Sequence, residues 1–301
     1  MRHAHFAWYE LLTTDMAAAR SFYGSVLGWT ARDAATSKFA YSVFNAGDAP
    51  VCGLMELSLE GRKMGATPRW VGYVAVDNLD LTVDRLGQFG GAVYVPPTKT
   101  NIGRIAIVAD PQKATFALAQ GLKHDLPPSE AAELGRVGWH ELLAGEWRAA
   151  FAFYHELFGW QRTQSGVGSL ESYQLLSAGD RTIGGMFTKL PIAPIPFWLY
   201  YFNVPDIAVA TDRVMASGGR TVQGPNQLPD VGWIAWCVDP QGAMFALQAA
   251  SNQSGVERPS AAELGWSTTW GAFASRGRLV AARFETGIET EGLNARECAA
   301  G

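Results

Sequence analysis

The chain alternates short apolar runs with polar breaks. Residues 6–12 (Phe-Ala-Trp-Tyr-Glu-Leu-Leu) are aromatic-rich and end at Thr-Thr-Asp, which predicts a strand stopped by a turn. Behind Asp15, a good N-cap, Ala19, Phe22, Tyr23, Val26 and Leu27 recur at helical spacing, and Gly28 is placed to stop the helix. Three short strands follow, near 28–33, 39–46 and 51–58, with Ala46-Gly47-Asp48 as a hairpin turn. The order then restarts. A strand at 69–76 precedes a helix capped by Asn78 and ended by Gly90-Gly91. Strands at 92–96, 103–109 and 115–120 close it, the last hairpin turning at Asp110-Pro111-Gln112. The pattern predicts an α+β fold of two βαβββ units.

The whole pattern occurs twice. Residues 8–120 return at 139–249: Trp8 with Glu10-Leu11 as Trp139 with Glu141-Leu142, Phe22-Tyr23 as Phe153-Tyr154, and Gly28-Trp29 as Gly159-Trp160. Further along, Trp70…Tyr73…Val76 returns as Trp198…Tyr201…Val204, and Asp110-Pro111-Gln112 as Asp239-Pro240-Gln241. A match this long, in order and on rare residue types, is a duplicated folding unit. It predicts four βαβββ units in two tandem domains, 1–123 and 136–249, each a half-open curved sheet. A connector at 124–135 joins them, and a polar, partly disordered tail follows at 250–301.

Composition changes this picture little. A net charge of −4 with no basic stripe argues against a nucleic-acid partner. No apolar run is long enough to span a membrane, and no leader pattern opens the chain. Cys52, Cys237 and Cys298 are odd in number and unmatched between the halves, so reduced thiols in a cytoplasmic protein are expected. Monomer and homodimer are both open.

The opening Trp-x-Glu-Leu-x-Thr-x-Asp…Phe-Tyr-x-x-Leu-x-Gly-Trp and the closing Asp-Pro-Gln-x-Ala-x-Phe-x-Leu resemble the glyoxalase / bleomycin-resistance / extradiol-dioxygenase (vicinal oxygen chelate) superfamily over about 5–122 and 136–249. The resemblance implies that paired βαβββ units curl into a cup with a small-molecule site on the concave face. In the superfamily's enzymes a divalent metal sits there, held by His or Gln on the first strand of each unit and Glu on the last. At those places this chain carries Trp8 and Trp139, Ala117 and Ala246, and, for the second unit of each half, Gly72 and Tyr200. An indole N–H only donates and a methyl group coordinates nothing, whereas a catalytic metal needs about three donors. Glu56 stands on one last strand, but Thr188 is its counterpart. No metal cofactor is therefore expected.

What remains at these positions is aromatic. Trp8, Trp70, Trp139, Trp198 and Tyr200 are read as ligand-binding walls, with Phe202 and Trp233 as further wall candidates. Glu10 and Glu141, two residues along from Trp8 and Trp139, share their face by strand alternation. They are candidate ligand-gripping groups or weak candidate bases, but the favoured reading is a structural role as acids tied to backbone or to an arginine such as Arg104. His140 falls on the opposite face, where a packed histidine is expected, and His155 sits on a helix. His3 and His5 form a terminal pair that the second copy lacks. The reading favoured here is a metal-free module for a small hydrophobic or aromatic molecule. The alternatives are a metal-dependent lyase, isomerase or dioxygenase built on Glu10, Glu56 and a tyrosine, and a duplicate whose cups are filled by their own side chains.

Overall fold

The computed structural model describes residues 4–34, 40–63, 65–124, 132–163, 173–189, 195–228 and 232–250. The tail, most of the connector, and His3 lie outside them, as does Cys298. The first half runs β1 (His5–Thr13), α1 (Met16–Leu27), β2 (Thr30–Asp33), β3 (Tyr41–Ala46), β4 (Ala49–Glu56), then a short helix α2 (Leu59–Lys63), β5 (Arg69–Ala75), α3 (Leu79–Gln88), β6 (Ala92–Lys99), β7 (Arg104–Ala109) and β8 (Thr115–Gln120). The second half repeats it as β9 (Val137–Ala144), α4 (Trp147–Phe158), β10 (Gln161–Thr163), β11 (Tyr173–Ala178), β12 (Arg181–Thr188), β13 (Phe197–Asn203), α5 (Ile207–Ala216), β14 (Arg220–Leu228), β15 (Gly232–Val238) and β16 (Met244–Ala249). Both helix signals hold in the first unit. Asp15 accepts the Ala18 amide at 2.9 Å, and Gly28 ends α1 in the left-handed region at φ 71°. The helix α2 has no counterpart in the sequence reading.

Each half forms one eight-stranded mixed sheet, ordered β2-β3-β4-β1-β5-β8-β7-β6 and β10-β11-β12-β9-β13-β16-β15-β14. The two units of a half join through their first strands, which pair antiparallel, while each first strand pairs parallel with its own unit's last strand. One face of each sheet carries the helices, and the other is the concave cup. The helix-side faces of both sheets feed one hydrophobic core within a single compact unit.

That shared core explains the repeated motifs. Tyr23 donates to the Asp239 carboxylate at 3.0 Å, and Tyr154 donates to Asp110 at 3.2 Å, so each half's helix reaches the other half's last hairpin. Each aspartate also takes two amides of its own turn: Gln112 and Ala114 on Asp110, Gln241 and Ala243 on Asp239. Trp70 donates to the Tyr23 hydroxyl and Trp198 to that of Tyr154, both at 3.0 Å. The Trp29 indole caps the Gly135 carbonyl at 3.0 Å, and Trp160 caps that of Ala4 at 2.8 Å. Phe22 and Tyr23 meet Phe245 edge-on, while Phe116 tilts against Tyr154. A hydroxyl donating to a buried carboxylate is worth more than a neutral bond, and its loss leaves several donors stranded.

Two outcomes follow for stability. Asp239→Ala, which strands Tyr23 and two turn amides, should cost about 3 kcal/mol in urea unfolding. Because the core is shared, tryptophan emission and far-ultraviolet dichroism should report one common transition in both the parent and the variant.

Candidate functional site

Cross-strand pairing fixes which side chains enter each cup. In the first half Trp8 lies opposite Tyr73, Glu10 opposite Val71 and Leu12 opposite Arg69. Glu10 also sits beside Gly53 of β4. The cup floor is thus Trp8, Glu10, Tyr41, Val71, Tyr73 and Ala117, nearly all sealed from solvent. In the second half Trp139 lies opposite Tyr201 and Glu141 opposite Leu199, with Gly185 of β12 beside Glu141. Ala246 pairs with both Tyr201 and Trp236, so all three share the floor.

Both floors carry one constellation: a buried glutamate, two tyrosines from different strands, and a tryptophan. Tyr41 donates to Glu10 Oε1 at 2.7 Å, and Tyr73 donates to Oε2. Tyr201 donates to Glu141 Oε2 at 2.5 Å and itself takes the Trp236 indole N–H at 2.7 Å. Tyr173 bears on the same carboxyl and takes the Trp139 indole N–H at 3.1 Å. The glycine beside each acid makes this possible. A Cβ on Gly53 would lie 2.2 Å from the Tyr41 hydroxyl, and one on Gly185 would lie 2.3 Å from that of Tyr173.

The two floors differ in cover. Trp8 is 1% exposed, tucked among Tyr41, Tyr73, Ile102 and Ile105, with the His124 ring tilted 5.7 Å away. Its counterpart Trp139 is half-buried, as are Tyr173, Leu175, Phe187 and Trp236 around Glu141. The second cup therefore presents aromatic surface above its buried acid, whereas the first hides its own.

Burial pushes the carboxyls up. Glu141 rises to about 7, desolvation outweighing the lowering by the Tyr201 and Tyr173 hydroxyls. Glu10 moves the same way for the same first reason, against Tyr73, Tyr41 and Trp8. Near neutral pH Glu141 can both accept and give up a proton, and its hydroxyl neighbours can pass that change to a polar group on a ligand.

Several sequence expectations are corrected here. Trp70, Trp198 and Tyr200 line no cup. Trp70 pairs opposite Leu11 and Trp198 opposite Leu142, on the helix side, and their indoles are committed to Tyr23 and Tyr154. Tyr200 lies in the seam between halves and takes the Gly72 amide at 2.7 Å; Phe202 and Trp233 pack in the same shared core. The cup-facing residues of those strands are Val71 and Tyr73, and Leu199 and Tyr201. The sequence reading missed both tyrosine pairs, although Tyr73 and Tyr201 recur at matched positions. Trp8, Glu10, Trp139 and Glu141 do come together with cup tyrosines. Glu10 is held by these hydroxyls, not by Arg104, which pairs with Asp80 at 2.9 Å. Glu56 points away and pairs with Arg62 at 2.7 Å, so Glu10, Glu56 and a tyrosine do not assemble. His140 is packed as expected: it stacks on Phe6 at 4.2 Å, donates through Nδ1 to the Ile183 carbonyl, and accepts from Tyr9 at 2.5 Å. Burial drops its pKa to about 4. His155 is half-buried on α4 and meets the Trp160 carbonyl through Nδ1 at 2.8 Å.

The superfamily's metal does not fit these residues. The floor offers an indole, a methyl group, tyrosine hydroxyls already donating, and one carboxyl per cup. Among the described residues no three His, Cys, Asp or Glu side chains converge.

The glutamate leaves a signature in stability. A carboxyl whose folded pKa lies above its unfolded value binds its proton more tightly in the native state, so stability falls as pH rises from about 4.5 through 7 and then levels off. The parent should lose about 3 kcal/mol between pH 5 and pH 8 relative to Glu141→Gln, which stays neutral throughout. Urea unfolding of both proteins at the two pH values measures this, and the contribution of His140, of opposite sign, cancels in the difference.

A family model described as the glyoxalase/bleomycin resistance protein/dioxygenase superfamily matches residues 4–118 and 136–247. CFP32 of Mycobacterium tuberculosis, a protein named as a glyoxylase, is 32% identical over 244 residues, covering 80% of this chain and 92% of its own. The anthracycline biosynthesis protein DnrV of Streptomyces peucetius is 36% identical over 113 residues, covering 38% of this chain and 40% of its own. Among solved structures, the 2,3-dioxygenase LapB from Pseudomonas sp. KL28 shares the fold with a TM-score of 0.59 at 14% identity, covering 89% of this chain and 97% of that one. The Mn(II)-bound glyoxalase from Novosphingobium aromaticivorans does so with a TM-score of 0.57 at 16% identity, covering 86% and 88%. With its duplicated βαβββ pairs and matches across both halves, this chain belongs to the glyoxalase/bleomycin resistance protein/dioxygenase superfamily.

Proposed function

We propose that the protein binds a small hydrophobic or aromatic molecule, without a metal, in the cup of its second half. The observation that carries this reading is that Trp139 and Ala246, which the family resemblance matches to cation-ligand positions, share the cup floor with Glu141 and its two tyrosines. Trp139, Tyr173, Phe187 and Trp236 supply a half-exposed aromatic wall for a flat apolar body. Glu141, reached through the Tyr201 and Tyr173 hydroxyls, orients one hydroxyl or carbonyl of the ligand. The relation to an anthracycline biosynthesis protein supports a planar, polycyclic phenolic or quinonoid ligand. In this reading the protein acts in the cytoplasm on a small molecule, with no nucleic-acid or membrane partner, as a monomer or homodimer.

Titration calorimetry with 1-naphthol, a neutral planar phenol, tests it. Binding should survive exhaustive dialysis against EDTA. It should weaken tenfold or more in Trp139→Ala and in Trp236→Ala, as the loss of one aromatic contact of about 1.4 kcal/mol requires. Binding that returns only with one divalent ion, or that ignores both substitutions, defeats the reading.

A further inference from the structure

The mouth of the first cup holds a charge that the fold does not use. Arg69 opens β5 and pairs opposite Leu12, which places it on the cup face above Val71 and Tyr73. Leu12 and Met55 stand at this level, and with Val43 and Ile107 they are partly buried apolar side chains packed on the sealed floor. Arg69 is itself half-buried, and its Nε is shut off from solvent with no hydrogen-bond partner. Desolvation lowers the Arg69 pKa first of all, and among the described residues the charge that bears on it is that of the Tyr94 hydroxyl, not a carboxylate. Tyr94 sits on β6, three places from β5 in the sheet order. Tyr94 is 55% exposed and Val95 38%, which leaves this rim open.

A desolvated guanidinium with a stranded N–H costs stability unless something pairs with it. Folding does not require one here, because the matched position in the second half is Phe197, opposite Leu143 as Arg69 is opposite Leu12. Other arginines of this half have partners: Arg62 with Glu56, Arg104 with Asp80, Arg32 with Asp48, and Arg85 with the Glu156 carbonyl. Among the described residues Arg69 Nε has no hydrogen-bond partner, and the side chain stands over an apolar shelf.

We infer that the mouth of the first cup is a second ligand site, separate from the aromatic cup of the other half, and that it takes small organic acids with an apolar body. The carboxylate pairs with the terminal N–H groups of the Arg69 guanidinium, next to the sealed Nε, and Tyr94 adds a hydroxyl at the rim. The hydrocarbon part lies on Leu12, Met55 and Ile107. A planar guanidinium suits an oxyanion because it offers parallel donors in a fixed fork.

The probes are 2-naphthoate and 2-naphthalenemethanol, of like shape but different charge, titrated into the full chain. The parent should bind the acid at least tenfold more tightly than the alcohol, a preference that shrinks with added salt. Arg69→Met should abolish the preference, and Arg69→Lys should keep part of it. Should Arg69→Met unfold, the Nε–H resonance of Arg69 in the parent, assigned by its loss in Arg69→Lys, gives a direct reading: it should shift with naphthoate and stay still with the alcohol. Equal affinity for the two probes, undiminished naphthoate binding in Arg69→Met, or an unmoved Nε–H resonance at saturation would each overturn the inference.

Discussion

The molecule depends on two hydrogen-bonded chains that cross between its halves: Trp70 to Tyr23 to Asp239, and Trp198 to Tyr154 to Asp110. Each aspartate already serves its own turn by accepting two backbone amides. The tyrosine that arrives from the other half satisfies an oxygen that the turn leaves over. This arrangement puts satisfied polar groups into a largely apolar seam, alongside the Tyr9–His140 and Gly72–Tyr200 bonds, and each fixes register. With the helix-side faces locked together, the opposite faces of both sheets are left to form cups. The cups can then diverge without disturbing what holds the fold.

Divergence is what they show. The glutamate, its two tyrosines and the small residue that admits a ring are common to both. In the first half the tryptophan is buried among isoleucines and tyrosines, and a half-buried arginine stands at the rim. In the second the aromatic wall is half-open above the acid. The family's sheet geometry is retained while the side chains that would grip a cation are absent from the positions facing inward.

The sequence made the architecture readable because a repeat doubles every weak signal. Asp15 and Gly28 bound a helix for local reasons, and the same motifs recur at Phe153-Tyr154 and Gly159-Trp160. The faces of β1 and β9 were also readable, since Trp8 and Glu10 alternate with Tyr9 and Leu11 around a single acid. The faces of β5 and β13 were not. Trp-Val-Gly-Tyr-Val and Trp-Leu-Tyr-Tyr-Phe are buried on both sides, so no polar position marks the phase, and only the register with β1 and β9 assigns it. The reading slipped by one residue there, which sent Trp70, Trp198 and Tyr200 into cups they do not line and hid Tyr73 and Tyr201. Asp110 and Asp239 were legible as turn formers but not as acceptors for a tyrosine from the other half, because nothing local records a partner so far along the chain. Arg69 carried a usable signal, a charge where the other copy has Phe197, but without the cup face assigned it had no meaning.

The reciprocity of the seam also bears on covalent continuity. Each half hands its tyrosine to the other and receives one back, so the bonds are indifferent to whether donor and acceptor lie on one polypeptide or two. Two chains exchanging their second halves would make the same contacts, and the tether between halves favours the closed single chain only by raising the local concentration of one partner about the other. Covalent linkage thus holds each half's partner at a local concentration that does not depend on how dilute the protein is.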